Sequence, residues 1–258
     1  MAFFQGSNIV TKDLQIAIDF ASSRCYSGTG TQFNNLIRPR NSVGYLKNTA
    51  TYSTTNRGII TTGGYNSGAV YNVGDRIDIN TTAGGIDRFS GTHNFSIFFW
   101  VNQISSSGRI MSTGSAGTGT GNSDNCIWQM WCDTGQFYWW NSSGGGANNI
   151  SASGTWHTPG NWEYIGFTYS YDESANNIVR CYTNGNLQFS GVTATSSHSY
   201  IDRSGESSLQ WTLGGGYSSS CYNTNSSCKF GSFHLYNRTL SATEITQNYN
   251  ATKKRFGL

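Results

Sequence analysis

The chain has 258 residues, a formal net charge of +3 and only 11% charged residues, whereas aromatics reach 14% and Gly counts 32 against 2 Pro. This composition excludes a helical bundle and a disordered chain; it fits short strands joined by glycine-bearing turns around a substantial core. The basic clusters are sparse, "KKR" at 253 to 255 and Arg38 with Arg40. They read as solvated surface, so no nucleic-acid partner is expected.

The N-terminus, "MAFFQGSNIVTKDLQ", does not join a basic segment to a long apolar run, and no window approaches the roughly 18 apolar residues of a membrane span. Neither a secretory signal nor membrane insertion is expected, and residues 1–13 read as an N-terminal arm. Runs rich in β-branched and aromatic residues then recur between turn signals: "LQIAIDF" (14 to 20), "AVYNV" (69 to 73), "DRIDI" (75 to 79), "FSIFFWV" (95 to 101), "RIMST" (109 to 113), "CIWQMWC" (126 to 132) and "QFYWWN" (136 to 141). They continue with "WEYIGFTYSY" (162 to 171), "IVRCYT" (178 to 183), "NLQFSG" (186 to 191), "LQWTLGG" (209 to 215) and "FGSFHLY" (230 to 236). Many short strands at nearly regular spacing predict one all-β sandwich domain over 1–258.

Turns are written into the chain. "TNGN" places Asn184 and Gly185 where a type I′ hairpin needs positive φ, and "DTG" suits a three-residue loop with Gly135 left-handed. "GTGTGN" (117 to 122) and "SSGGGANN" (142 to 149) read as flexible loops. Near the end, "LSATEITQNYNATKKRFG" carries Ser241 as N-cap, Glu244 three residues on and a Leu240–Ile245 staple. A short helix from about 242 to 249 is expected to close one end of the sandwich, with 250–258 as a C-terminal tail.

The hairpin "CIWQMWCDTGQFYWWN" holds the strongest functional signal. With Asp133, Thr134 and Gly135 as its loop, Trp128, Met130, Cys132, Tyr138 and Trp140 fall on one face, and Ile127, Trp131, Phe137 and Trp139 on the other. Both faces are apolar, and "FSIFFWV" is the same: Phe95, Ile97, Phe99 and Val101 point one way, Phe98 and Trp100 the other. At least one sheet is therefore covered twice, once by its sister sheet and once by loops, a ligand or another subunit. Stacking on sugar rings would use Trp128, Tyr138 and Trp140, or Trp131 and Trp139; a subunit interface would use the same large aromatics.

Catalytic and metal signals are weak by comparison. Glycoside hydrolysis needs two carboxylates about 5 to 9 Å apart. No two acids stand at i, i+2, and Asp202 with Glu206, the pair at i, i+4, lies in the polar turn "DRSGE". His93, His157, His198 and His234 are scattered singly; His234, between Phe233 and Leu235, reads as a strand histidine hydrogen-bonded at a sheet face. Oxygen donors are dense at "NSDN" (122 to 125), where Asp124 could serve calcium, but no loop pattern supports a cofactor. The six cysteines lack C-x-x-C spacing. Cys126 and Cys132 would stand roughly 20 Å apart along a strand, whereas Cys221 and Cys228 flank "YNTNSS" and could close a disulfide-bonded hairpin.

Several segments together carry a resemblance: "NIVTKDLQIAIDFASSRCYSGTGTQFNNLI", "GAVYNVGDRIDI", "FSIFFWV", "WEYIGFTYSYDESANNIVRCYTNGNL" and, most specifically, "GSFHLYNRTLSATEITQNYNATKKRFGL". This order resembles the concanavalin A-like lectin/glucanase, or laminin-G-like, domains of tailed-bacteriophage structural proteins. The resemblance implies a two-sheet antiparallel jelly-roll sandwich. The Glu-x-Asp-x-x-Glu strand of the glucanase members is missing, as is a lectin-type metal cluster. The expectation is a non-enzymatic virion component at the virion surface, in the head decoration, tail or fibre. It would be homo-oligomeric, in contact with other virion proteins and with host cell-surface polysaccharide; the rival expectation is a glycan-binding adhesin.

Overall fold

Alternating residues build strands wherever the chain can pair them, and the computed structural model gives the outcome for residues 8–37, 42–53, 58–61, 75–80, 94–104, 107–115, 126–133, 136–143, 146–153, 158–170, 176–194, 209–214 and 227–258. The strands are β1 (Leu14–Asp19), β2 (Gln32–Asn34), β3 (Ser42–Lys47), β4 (Thr51–Ser53), β5 (Gly58–Thr61), β6 (Arg76–Asn80), β7 (Phe95–Gln103) and β8 (Ser107–Ser115). There follow β9 (Cys126–Asp133), β10 (Gln136–Ser143), β11 (Gly146–Ser153), β12 (Trp162–Ser170), β13 (Asn176–Thr183), β14 (Asn186–Ala194), β15 (Leu209–Leu213) and β16 (Cys228–Tyr236). Helix α1 (Ala242–Thr252) and a 3-10 turn (Lys253–Phe256) end the chain.

Two antiparallel sheets result. Sheet A runs β14-β13-β12-β7-β16-β5-β4, with β1 also paired to β16; sheet B runs β11-β10-β9-β8-β15-β6-β3-β2. Between them lies the main core. Ile97, Phe99, Val101, Ile165, Phe167, Phe233 and Leu235 come from sheet A, and Ile77, Ile79, Met111, Met130, Trp211 and Leu213 from sheet B. The hairpin of β13 and β14 turns as the sequence demands, with Asn184 at φ 52° and Gly185 at φ 83°.

The doubly apolar strands have a simple explanation. Phe98 and Trp100 of β7, Tyr164 of β12, Tyr182 of β13 and Tyr236 of β16 form a second cluster on the outer face of sheet A, joined by Leu240 and Ile245. What covers this face is the chain's own terminus. Trp100 stacks on Phe256 at 4.2 Å between centroids and on Tyr249 at 5.9 Å, while its indole N–H donates to Thr252 Oγ1 at 2.8 Å. The helix therefore lies on a sheet face rather than at the end of the sandwich, because its apolar residues match the aromatic stripe there. Residues 250–256 are correspondingly no solvated tail: the helix continues to Thr252, and Arg255 is ion-paired with Asp19.

Cap and arm complete the cover. Ser241 Oγ accepts from the Glu244 N–H at 3.3 Å and Glu244 Oε2 accepts from the Ser241 N–H at 2.9 Å, the expected capping box. Arg238 grips the same carboxylate with two N–H groups, at 2.8 and 2.6 Å. From the arm, the Val10 N–H donates to Asn248 Oδ1 (2.7 Å), Asn248 Nδ2 donates to the Tyr236 hydroxyl (3.0 Å), and that hydroxyl donates to the Val10 carbonyl (3.0 Å). Asn248 is fully buried, so this closed triangle satisfies polar groups that would otherwise penalise burial of the arm.

His234 departs from expectation. It is buried on the outer face, yet its Nδ1 makes no hydrogen bond. Burial pushes the imidazole down to about 4 from 6.5; Asp19 opposes the shift and Arg255 adds to it. The unfolded chain then binds a proton that the folded one refuses. Stability is complete above about pH 6.5 and falls as acid is added, by about 1.4 kcal/mol per pH unit, until the folded imidazole titrates. Glu244, lowered to about 2 from 4.5 chiefly by the Arg238 hydrogen bonds, extends the loss below pH 4.5. Urea unfolding between pH 7 and 4.5 is expected to show the slope, and His234→Gln to remove most of it. Wild-type stability that is flat over this interval would contradict a neutral buried imidazole.

Candidate functional site

The aromatic hairpin, β9 and β10, belongs to sheet B, whose two faces divide its residues. Its register differs from the sequence expectation. Gln136 pairs with Asp133, Phe137 with Cys132, Tyr138 with Trp131, Trp139 with Met130 and Trp140 with Gln129. Two residues, not three, separate the paired strand ends, and every cross-strand partner moves by one. Residues 134 and 135 themselves lie outside the described residues.

Following the ladders across the sheet sorts the aromatics by face. Trp139 stands in a row with Met130, Met111, Leu213, Ile77 and Leu46, the last five all buried between the sheets. Trp128 stands in the row of Thr113, Trp211 and Ile79, of which Trp211 and Ile79 are likewise buried in the core. Both positions therefore belong to the inner face. The outer face receives the alternate positions. One row runs Asn149, Trp140, Gln129, Ser112, Thr212, Asp78, Tyr45 and Gln32; the next includes Ser151, Tyr138, Trp131 and Arg109. Of the five candidates, Trp131, Tyr138 and Trp140 thus share a face; both expected groupings, Trp128 with Tyr138 and Trp140 and Trp131 with Trp139, are corrected by the one-residue change in register.

The polar end of the longer row is built by β6, whose alternation sends Ile77 and Ile79 inward and Arg76 and Asp78 outward. Arg76 donates to both Asp78 oxygens, Nε at 2.9 Å and Nη2 at 3.4 Å, and Thr212 Oγ1 approaches Asp78 at 3.5 Å. Asp78 and Thr212 are buried, whereas Tyr45 is 39% exposed with the Lys47 ammonium 5.3 Å from its ring centre. Five strand spacings separate β10 from β3, about 24 Å. The buried Asp78 and Thr212 hold the row together from within, so the groups it can present to a ligand are Tyr45 at one end and the aromatic residue types of β9 and β10 at the other.

Other expected site residues are not gathered here. His93, His157, His198, Asp124, Asp202, Glu206 and Cys221 lie outside the described residues, while Cys228 is buried at the start of β16. Among the described residues, no group of three or more His, Cys, Asp or Glu is placed to hold a metal. The row across sheet B was missed in the sequence because it joins residues from distant segments. Only the i, i+2 recurrence within "QFYWWN" was available to suggest one of its ends.

Fold and face together define a lectin-like antiparallel sandwich with a strand-crossing aromatic and polar strip. Residues 74–246 match the Laminin_G_3 family model, described as the concanavalin A-like lectin/glucanases superfamily, and the chain belongs to that family. No curated protein sequence matches the chain. Among solved structures, it is similar to the binding domain of botulinum neurotoxin DC in complex with rat synaptotagmin II, with TM-score 0.60, 11% identity and coverage of 94% of this chain and 52% of that one. It is also similar to the botulinum neurotoxin serotype D ligand-binding domain in complex with N-acetylneuraminic acid, with TM-score 0.53, 13% identity and coverage of 92% and 50%. A third is the neurotoxin DC binding domain in complex with SialylT, with TM-score 0.60, 11% identity and coverage of 93% and 51%. The chain spans about half the length of these structures, and at such identities the likeness concerns the fold alone.

Proposed function

We propose that the chain is a non-catalytic recognition module that holds cell-surface polysaccharide against the outer face of sheet B, carried at the surface of a tailed-phage virion. The observation that carries the first half is the convergence of Trp131, Tyr138 and Trp140 on one face, beside the uncharged positions Gln129 and Ser112. Aromatic residues stack on the apolar faces of pyranose rings, and hydroxyl and amide groups exchange hydrogen bonds with sugar hydroxyls. The one described carboxylate in the row, Asp78, is engaged by Arg76, and a hydrolytic acid/base pair needs a second. Two fold neighbours were solved with N-acetylneuraminic acid and SialylT, which supports a sugar as the class of ligand.

The virion setting rests on the resemblance of the chain's terminal segments to phage structural domains. Those segments form β16, α1 and the 3-10 turn that cover sheet A. A glycan array of bacterial envelope polysaccharides tests recognition, and peptide mass spectrometry of purified virions tests location. Trp131→Ala, Tyr138→Ala and Trp140→Ala are each expected to weaken polysaccharide binding about ten-fold, equivalent to about 1.4 kcal/mol. No binding by the intact chain at millimolar sugar would remove the carbohydrate reading.

A further inference from the structure

The two sides of the sandwich treat their sheet edges differently. On one side the end strands are β4 and β2, each three residues long. The free side of β1 is satisfied locally: the Ala17 N–H donates to Asn35 Oδ1 (3.0 Å), the Leu36 N–H to the Ala17 carbonyl (2.9 Å), and Asn35 Nδ2 to the Gln15 carbonyl (2.9 Å). Short or covered edges are how folded proteins avoid unwanted strand addition. On the opposite side the end strands are β14, nine residues of "NLQFSGVTA", and β11, eight residues of "GANNISAS". Neither carries a Lys, Arg, Asp, Glu or Pro.

These long edges lie against each other, one from each sheet, and form a single wall. In the first half of β14, Asn186, Leu187, Gln188 and Ser190 are exposed, Leu187 at 51%. Among the described residues its only ladder is to β13. A bulge between Cys181 and Tyr182 leaves Gln188 as the extra residue near the hairpin, so Phe189 to Ala194 run on in regular pairing.

We propose that this wall is where a second copy of the chain docks, β14 pairing antiparallel with β14 of its partner about a two-fold axis normal to the sheets. The same rotation sets β11 beside β11. An uncharged strand is compatible with its own copy, because no like charges meet across the axis, and the two-fold closes the assembly without leaving a new edge. A nine-residue strand rises about 30 Å, and two sheets about 10 Å apart make the wall about 20 Å deep. Each copy then covers about 600 Å², about 1,200 Å² in all, which reaches the lower bound of stable specific interfaces. Self-association is thereby assigned to an edge and not to the aromatic face of sheet A, which α1 occupies. Where the sugar-binding reading also holds, the axis turns both outer faces of sheet B the same way, so that one polysaccharide layer engages two sites with avidity.

The test uses the full chain and no sugar, so its failure is separate from failure of the glycan reading. Light scattering over a concentration series is expected to reach twice the 28.2 kDa chain mass. Hydrogen exchange is expected to show protection of the 186–194 amides that grows with concentration. The double variant Leu187→Lys/Ser190→Lys changes exposed side chains only; it is expected to stay monomeric with an unchanged circular dichroism spectrum and to lose that protection. A wild-type chain that remains monomeric at every concentration overturns the proposal. So does an oligomer that the lysines leave intact, or one in which 186–194 gains no protection. If the double variant misfolds, Ser190→Lys alone with the wild-type exchange data decides between the same outcomes.

Discussion

Trp100→Ala is expected to cost about 3 to 5 kcal/mol, the range for truncating a fully buried Trp. In a domain of this size that lowers the melting temperature by about 10 °C. The indole is fully buried in the middle strand of sheet A and meets four partners on the covering layer and the sheet: Phe256, Tyr249, Tyr164 and the Thr252 hydroxyl. Removing it opens a cavity beneath α1, so the last turn should also become the first site of proteolysis. Trp100→Phe separates packing from polarity. It keeps a ring against Phe256 but loses the N–H, and should cost about 1 kcal/mol, since Thr252 Oγ1 retains its bond to the Asn248 carbonyl at 2.8 Å. Calorimetry on the three proteins checks the order; a loss below 1 kcal/mol for Trp100→Ala would mean that the helix does not depend on this stack.

Gly166→Ala should be nearly as damaging although it adds a single methyl. Gly166 lies in β12, paired with Phe98 on one side and Tyr182 on the other. A Cβ there would stand 2.0 Å from the Ile97 carbonyl oxygen and 2.7 Å from the Phe98 Cα, both backbone atoms of β7. Backbone in a central strand cannot yield without disturbing β16 as well, and overpacking of this kind costs about 3 kcal/mol. The missing side chain also leaves room for Phe98 and Tyr164 to stack, their rings 5.4 Å apart and inclined at 21°. Chemical denaturation of Gly166→Ala, read as a shift in midpoint at unchanged slope, measures the cost; a shift under 1 kcal/mol would show that β7 and β12 can separate locally.

Both effects concern sheet A, and this division of labour bears on the proposed function. One sheet is built into a rigid base by the helix, the arm and Arg255 with Asp19. The other keeps its outward positions for Tyr45, Trp131, Tyr138 and Trp140. Substitutions on sheet A should therefore change stability, and those at Trp131, Tyr138 and Trp140 should, on the proposed reading, change binding.

Much of the architecture is legible in local sequence. Period-2 runs predict β1, β6 to β10 and β12 to β16, Asn184 with Gly185 predicts the hairpin turn, and Ser241 with Glu244 predicts the start of α1, because each signal is complete within a few residues. Strands without such runs escaped notice. β2 and β4 have three residues each, and "SSGGGANN", expected as a flexible loop, is instead the end of β10 (142 and 143) and the start of β11, whose Gly, Asn, Ser and Ala carry no strand signal of their own and are set by the ladder to β10.

The apolar residues on both faces of β7 state that a second layer exists, but they do not name it. That the layer is α1 with Tyr249 and Phe256 was decided by contacts more than 140 residues apart in the chain, such as Trp100 with Thr252. Which aromatics share the outer face of sheet B was decided in the same way. Alternation states that neighbouring residues in "CIWQMWC" and "QFYWWN" point apart, whereas the pairing of Gln136 with Asp133 determines which of them point together. A side-chain period of two makes a one-residue change of register exchange partners completely, so the sequence by itself determined that aromatic faces exist, and only the tertiary pairing decided that Trp131, Tyr138 and Trp140 share one.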